Sequence, residues 1–221
     1  MNADDVVVTV LTGGRPELLA ATLTSVREHA DGLLDTAHVF VLNNGNDQPT
    51  TEVLARHRDV IDQVVTSDTV RHVGPATSLL ARAAGRAGRT WWLHLEDDWI
   101  AHPAGDWLAE AMALFAIEAR VVQVRLRLAA EPVLARHMVT REPIRWREMS
   151  GYRIAADAHW TNNPALMRAT DAAAAWPADG ERDAQRRWWN SGHRTVGQLV
   201  PGVFEHGGGG QSLRAATGSP L

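Results

Sequence analysis

The chain has 221 residues, no cysteine and a formal net charge of −4, which excludes disulfides, thiolate–zinc sites and cysteine nucleophiles and argues against a protein that grips nucleic acid by bulk electrostatics. Every one of its 22 Lys-or-Arg positions is Arg, so Schiff-base chemistry, pyridoxal phosphate and a P-loop are excluded as well. No apolar run approaches the roughly 18 residues of a membrane span, and no leader pattern is evident, so a cytoplasmic protein without a transmembrane segment is expected.

In chain order, Val6–Leu11 is a continuous β-branched run that predicts a strand, broken by Gly13-Gly14 and followed by a helix from Pro16 to about Ala30. Pro16 suits a first helical turn, and Leu18, Leu19, Leu23 and Val26 supply an apolar face. His38–Leu42 predicts a second strand ending at the turn Asn43-Asn44-Gly45-Asn46-Asp47. A helix over Thr51–His57, a strand over Val60–Thr66, a helix over Ala76–Ala87 closed by Gly88 and a strand over Thr90–Leu95 follow. This alternation predicts a largely parallel, doubly wound sheet. Beyond it the pattern predicts a helix over Asp106–Ile117, a strand over Val121–Leu126, irregular strand and loop over 137–163, and a helix over Gly180–Ser191 with Asp179 as cap and Gly192 as stop. A late strand over Val196–Val200 and a flexible glycine-rich tail complete the reading.

The strongest local signal is Trp91-Trp92-Leu93-His94-Leu95-Glu96-Asp97-Asp98-Trp99, a buried-type apolar run ending in consecutive carboxylates. In α/β proteins ligands bind at the carboxyl ends of strands, and adjacent acids repel unless a hard cation or a proton neutralises them. A metal site holding a phosphorylated ligand is the leading reading, and a solvated acidic turn the plain alternative.

Four segments share an order: Thr12-Gly13-Gly14-Arg15-Pro16 after the first strand, Asn43-Asn44-Gly45 after the second, Arg71-His72-Val73-Gly74 before the third helix, and Glu96-Asp97-Asp98 after the fourth strand. Together they resemble a family 2-type glycosyltransferase with the GT-A fold. The likeness spans roughly residues 5–100 and, more loosely, 160–212. It implies an α/β, Rossmann-like nucleotide-diphospho-sugar transferase fold with a mostly parallel central sheet flanked by helices. It also implies a single domain over 1–221, with a nucleotide-sugar half to about 100, an acceptor and catalytic half from about 101 to 210, and a tail at 211–221.

By that resemblance Thr12, Gly13, Arg15, Asn43, Asn44, Arg71 and Gly74 would border the donor nucleotide, together with Glu96 and Asp97. Asn43 stands where the family carries an acid, and an amide offers a base both donor and acceptor. Asp98, with Asp97, would hold Mn²⁺ or Mg²⁺ through carboxylate and diphosphate oxygens. His206, in Phe204-Glu205-His206-Gly207-Gly208, resembles a late segment that adds a metal or diphosphate contact. Asp179-Gly180-Glu181-Arg182-Asp183 resembles the start of the catalytic-base helix, with Glu181 at the base position and Asp183 the alternative. First-turn acids also occur simply because the helix dipole favours them. His159–Arg168 resembles the segment lining the acceptor pocket, where Trp160 would either stack on the acceptor or pack in the core.

The implied activity is metal-dependent transfer of a sugar from a nucleoside diphosphate to a hydroxyl or amine of a small-molecule or glycan acceptor, with inversion. A sugar nucleotidyltransferase and a catalytically inactive nucleotide-sugar-binding module remain open. So does a metallohydrolase built on His94, Glu96, Asp98 and His102, whose first three members share a strand face.

Overall fold

The computed structural model describes residues 3–30, 32–128, 136, 137, 139–176 and 180–207. Strand β1 (Val6–Thr12) is buried along its whole length and leads to helix α1 (Pro16–His29). A short α2 (Leu33–Thr36) precedes β2 (His38–Asn44), α3 (Gln48–Arg56), β3 (Gln63–Ser67) and α4 (Val73–Arg86). Then come β4 (Trp91–Glu96), β5 (Trp99–Ala101), α5 (Trp107–Ile117) and β6 (Val121–Arg125). The remainder holds β7 (Arg147–Glu148), β8 (Tyr152–Ala155), β9 (Ala165–Arg168), α6 (Ala169–Ala175), α7 (Glu181–Asn190), β10 (Thr195–Leu199) and β11 (Phe204–His206).

Nine strands form one sheet in the order β3-β2-β1-β4-β9-β6-β10-β8-β7, and β5 pairs separately with β11. Strands β1 to β4 are mutually parallel where they pair, as are β6 and β10. The expected mostly parallel sheet is therefore present, with two departures: β9 runs antiparallel to both β4 and β6 and joins the two parallel blocks, and β8 runs antiparallel to both β10 and β7 at the far edge. β9 lies just past the 137–163 stretch read as irregular strand and loop, in a segment to which the sequence pattern assigns no element; it is only four residues long and follows a polar turn. The edge strand β3 begins at Gln63 rather than Val60, and its Val64 and Val65 remain exposed.

Both faces of the sheet are covered. On one side Val6, Val8 and Val10 meet Leu19, Leu23 and Val26 of α1 and the apolar residues of α5; on the other Val7 and Trp92 meet Ala81 and Ala84 of α4 and a tryptophan cluster. Alternate β1 residues feed opposite layers, as the two-residue strand period requires. Helix α3 is capped by the Asp47 side chain, which accepts from the backbone N–H of Thr50 at 2.9 Å. This extends the helix three residues ahead of the Thr51 start that composition alone suggests.

Trp160 is fully buried, its ring 4.4 Å from that of Trp176 and 6.0 Å from that of Trp188, so it belongs to the core rather than to an acceptor surface. The expected cap Asp179 and the glycine run from Gly208 with the tail at 211–221 lie outside the described residues. Among the described residues no helix is long and apolar enough to cross a membrane.

Candidate active site

Strands β1, β2, β4 and β6 point the same way, so Thr12, Asn44, Glu96 and Arg125 all stand at one edge of the sheet. Register places Thr12 opposite Asn43 and Leu11 opposite Glu96. Gly13 passes so close to β2 that a Cβ there would lie 2.8 Å from the Asn44 carbonyl oxygen. A side chain at this position would push the two strand ends apart.

The acidic cluster divides into different environments. Asp97 is wholly buried, and its oxygens accept from the Thr12 hydroxyl (2.8 Å), the Gly13 N–H (3.3 Å) and the Arg15 guanidinium. Arg15 also donates to Asp98 Oδ2 at 2.8 Å. Asp97 thus ties the loop after β1 to the end of β4. Asp98 Oδ1 is buried without a hydrogen-bond partner among the described residues. Burial, followed by repulsion from Asp98, Glu181 and Asp97, pushes the Glu96 carboxyl up to about 8.

His206 reaches this cluster through the β5–β11 pair. Register sets His206 opposite Trp99, the Gly207 N–H donates to the Asp98 carbonyl at 2.8 Å, and His206 Nε2 lies 3.4 Å from Asp98 Oδ2. A Cβ on Gly207 would approach Ile100 to 2.9 Å, so the chain closes tightly here. The Trp99 ring stands edge-on to His206 at 5.0 Å, with the Arg127 guanidinium over it at 5.2 Å.

Asn162 links the acidic cluster to α7. Its Nδ2 donates to Glu96 Oε1 and its backbone N–H to Glu181 Oε1, each at 3.0 Å. Gln185 Nε2, one turn along α7, also donates to Glu181 at 3.2 Å. Glu181 opens the helix after Gly180, whose φ of 129° suits glycine, while Ala184, Gln185 and Trp188 are buried. Asp183 points outward, half exposed, 3.8 Å from Arg186. The structure thus brings Glu181, and not Asp183, up to the strand-end acids.

The remaining expected residues shape the walls. Asn44 grips the backbone of Arg71 through both amide atoms (2.8 and 2.9 Å), and Arg71 Nε donates to the Ser67 hydroxyl. The carbonyl of Gly74 accepts from Trp176 Nε1 at 2.9 Å. Asn43 donates to Thr51 at 3.3 Å and keeps a buried Oδ1 unpartnered among the described residues.

The four-residue metallohydrolase cluster does not form. His94 is buried with Nδ1 2.9 Å from Thr9 Oγ1, which also accepts from Trp92 Nε1 at 2.7 Å, and His102 bonds Glu205 at the surface. Among the described residues no three His, Cys, Asp or Glu side chains converge as a metal cage. The sequence reading also missed Asn162 as a bridge, although its Asn-Asn-Pro turn was visible, and missed Arg125 and Arg127, whose alternation within an apolar strand was the available signal.

No protein-family model matches the sequence, and no curated protein sequence matches it. Solved structures do. The mannosyltransferase PcManGT from Pyrobaculum calidifontis, in complex with GDP-Man and Mn²⁺, superposes with a TM-score of 0.65 and 19% identity over 96% of this chain and 59% of that one. S. aureus TarS superposes with a TM-score of 0.61 and 12% identity, covering 90% of this chain and 59% of that one. GalNAc-T7, solved with UDP, GalNAc and Mn²⁺, gives 0.62 and 11% identity over 90% of this chain and 43% of that one. The fold is that of the GT-A glycosyltransferases. This chain spans 59% of the length of the first two and less of the third.

Proposed function

We propose that the protein is a metal-dependent glycosyltransferase that moves a sugar from a nucleoside diphosphate to an acceptor hydroxyl or amine with inversion. The observation that carries this reading is the Asn162 bridge, which holds Glu181 beside the acids ending β4. In an inverting displacement the general base stands with the incoming acceptor, across the anomeric carbon from the departing diphosphate, and Asn162 spans that kind of separation between Glu181 and the acids ending β4. Solved structures of the same fold hold nucleotide sugars, and one of them Mn²⁺.

The residues present fit a divalent ion. Asp98 Oδ1 is a buried oxygen without a partner among the described residues, and His206 Nε2 lies beside the same carboxylate. Mg²⁺ and Mn²⁺ are commonly held by one or two protein groups with phosphate oxygens completing the shell, so a full protein cage is not required. Asp98 and His206 would hold the ion, which when bound offsets charge on the departing diphosphate. Asp97, spent on Thr12, Gly13 and Arg15, shapes the loop instead.

The chain's own groups supply the rest. Asn43 Oδ1 is available to a nucleobase N–H at the end of β2. Glu181, oriented by the Asn162 N–H and Gln185, takes the acceptor proton as the acceptor oxygen or nitrogen attacks the anomeric carbon. Thermal shift with UDP, GDP and dTDP, each with and without Mn²⁺, tests the reading. Stabilisation by at least one nucleotide only with the metal is expected, at about 2.7 kcal/mol for ligand at a hundredfold of Kd; no stabilisation by any of them would overturn it. Slow donor hydrolysis then separates a transferase from an inactive binding module.

A further inference from the structure

Arg125 is a cation in an expensive place. It closes β6 at the site edge of the sheet with no exposed surface, and its Nη2 donates to the His159 carbonyl at 2.5 Å. Its Nε and Nη1 have no hydrogen-bond partner among the described residues. A buried charge is costly unless it is paired. Burial, then Arg153, push this guanidinium down to about 9, and Glu181 is the acid that opposes them.

A second guanidinium stands beside it, that of Arg153, which is itself paired with Glu148 Oε1 at 3.6 Å. The Arg125 and Arg153 guanidiniums both lie over the Trp146 ring, at 5.6 and 4.6 Å from its centroid. Arg153 is set in place by Gln198 Oε1, at 3.0 and 3.2 Å. Glu181 lies within electrostatic reach of Glu96 on one side and Arg125 on the other. A base within reach of both the strand-end acids and a buried guanidinium whose Nε and Nη1 lack hydrogen-bond partners among the described residues is arranged for an acceptor that brings negative charge.

We propose that Arg125, with Arg153 and the Trp146 ring, forms a subsite for an anionic oxygen group, carboxylate or phosphate, carried by the acceptor. The inference rests on the glycosyl-transfer reading and narrows its acceptor to an anionic class. Trp146 and Arg153 are partly exposed while Arg125 is sealed, so an anion in this subsite meets Arg153 and the Trp146 edge first and reaches Arg125 from that side. A guanidinium recognises either oxyanion through charge-assisted hydrogen bonds.

The test is titration of the full chain with inorganic phosphate and, separately, benzoate, following arginine Nε–H resonances by NMR at constant ionic strength. Benzamide serves as the uncharged control, and Arg125→Gln assigns the resonance. A saturable shift of the Arg125 signal with one anion is expected, phosphate or benzoate marking the source, with no response to benzamide. Arg125→Gln, and the more exposed Arg153→Gln should the first not fold, should each weaken that anion about tenfold or more, the scale of one charged hydrogen bond. An unmoved Arg125 signal, or anion binding unchanged in Arg153→Gln and in folded Arg125→Gln, overturns the subsite. Calorimetry with Mn²⁺ and nucleoside diphosphate separates the two failures: nucleotide binding without an anion shift overturns this subsite alone, whereas an anion shift without nucleotide binding overturns the acceptor role together with the transferase reading.

Discussion

His206 Nε2 lies 3.4 Å from Asp98 Oδ2, two residues far apart in sequence brought together by the pairing of β5 with β11. If these groups hold the ion, Asp98→Asn abolishes metal-dependent nucleotide binding. His206→Ala should weaken Mn²⁺ affinity about tenfold or more, a scale typical of losing a supporting metal contact. Calorimetric titration of Mn²⁺ in the presence of nucleotide reads both effects, and an unchanged His206→Ala titration places the ion elsewhere.

Glu181 and Asp183 sit two residues apart but face different surroundings. Glu181→Gln should lower turnover by about 10² or more while leaving the nucleotide dissociation constant in place. Asp183→Asn, at a half-exposed surface position, should change stability by no more than about 0.5 kcal/mol and leave turnover near wild type. Steady-state kinetics of the pair decides; equal losses in both variants would remove Glu181 from the base role.

Asn162 keeps Glu96 and Glu181 together without adding charge. Asn162→Asp places another carboxylate among groups that already repel, so the melting temperature should fall at neutral pH. Saturating Mn²⁺ with nucleotide should recover part of that loss. Differential scanning fluorimetry checks it, and a variant as stable as wild type without metal would mean the acids are less crowded than their geometry indicates.

Burial pushes the His94 imidazole down to about 3, and burial with Arg125 pushes His159 to about 2. An unfolded histidine gains its proton near 6.5, so between these values the unfolded chain binds more protons than the folded one. The stability contributed by the neutral rings is therefore lost as pH falls below about 6.5, at about 1.4 kcal/mol per pH unit for each fully differential group. Glu96, raised to about 8, acts with the opposite sign: its folded form keeps a proton that the unfolded chain releases, so stability falls as pH rises toward 8. Urea midpoints of wild type and His94→Gln between pH 4 and about 7 isolate the histidine contribution. The variant should show the shallower loss on acidification.

Gly13→Ala tests the close approach of β1 to β2. The added methyl meets the Asn44 carbonyl oxygen at 2.8 Å, and overpacking of this kind costs about 1–3 kcal/mol. Denaturant unfolding reads the cost directly.

The first hundred residues were legible because their strands are largely apolar runs of ordinary length separated by glycine, proline and asparagine. Val6–Thr12 and Trp91–Glu96 are buried almost throughout, and such runs announce themselves. That a helix runs from about Gly180 to Ser191 was legible from its closing Gly192, and Glu181 opens it. What stayed hidden depends on pairing between distant segments. The short β5 and β11 have no periodicity to read, yet their register is what delivers His206 to Asp98. Asn162 stood only as one member of the His159–Arg168 segment, and only the return of α7 makes it a bridge. Arg125 and Arg127 were given no role of their own because sequence does not reveal that the end of β6 is buried.

The antiparallel β9 is a seam. Within the large sheet, every main-chain ladder joining the β1–β4 block to the β6–β10 block passes through Ala165–Arg168. The Asn162–Pro164 turn feeds straight into it, and the Pro164 carbonyl accepts from Leu126 at 2.9 Å. The stitch that clasps the two carboxylates thus hangs from the thread that sutures the blocks. Any breathing motion that peels this segment away unfastens both at once, so the enzyme-like geometry and the integrity of the sheet fail together.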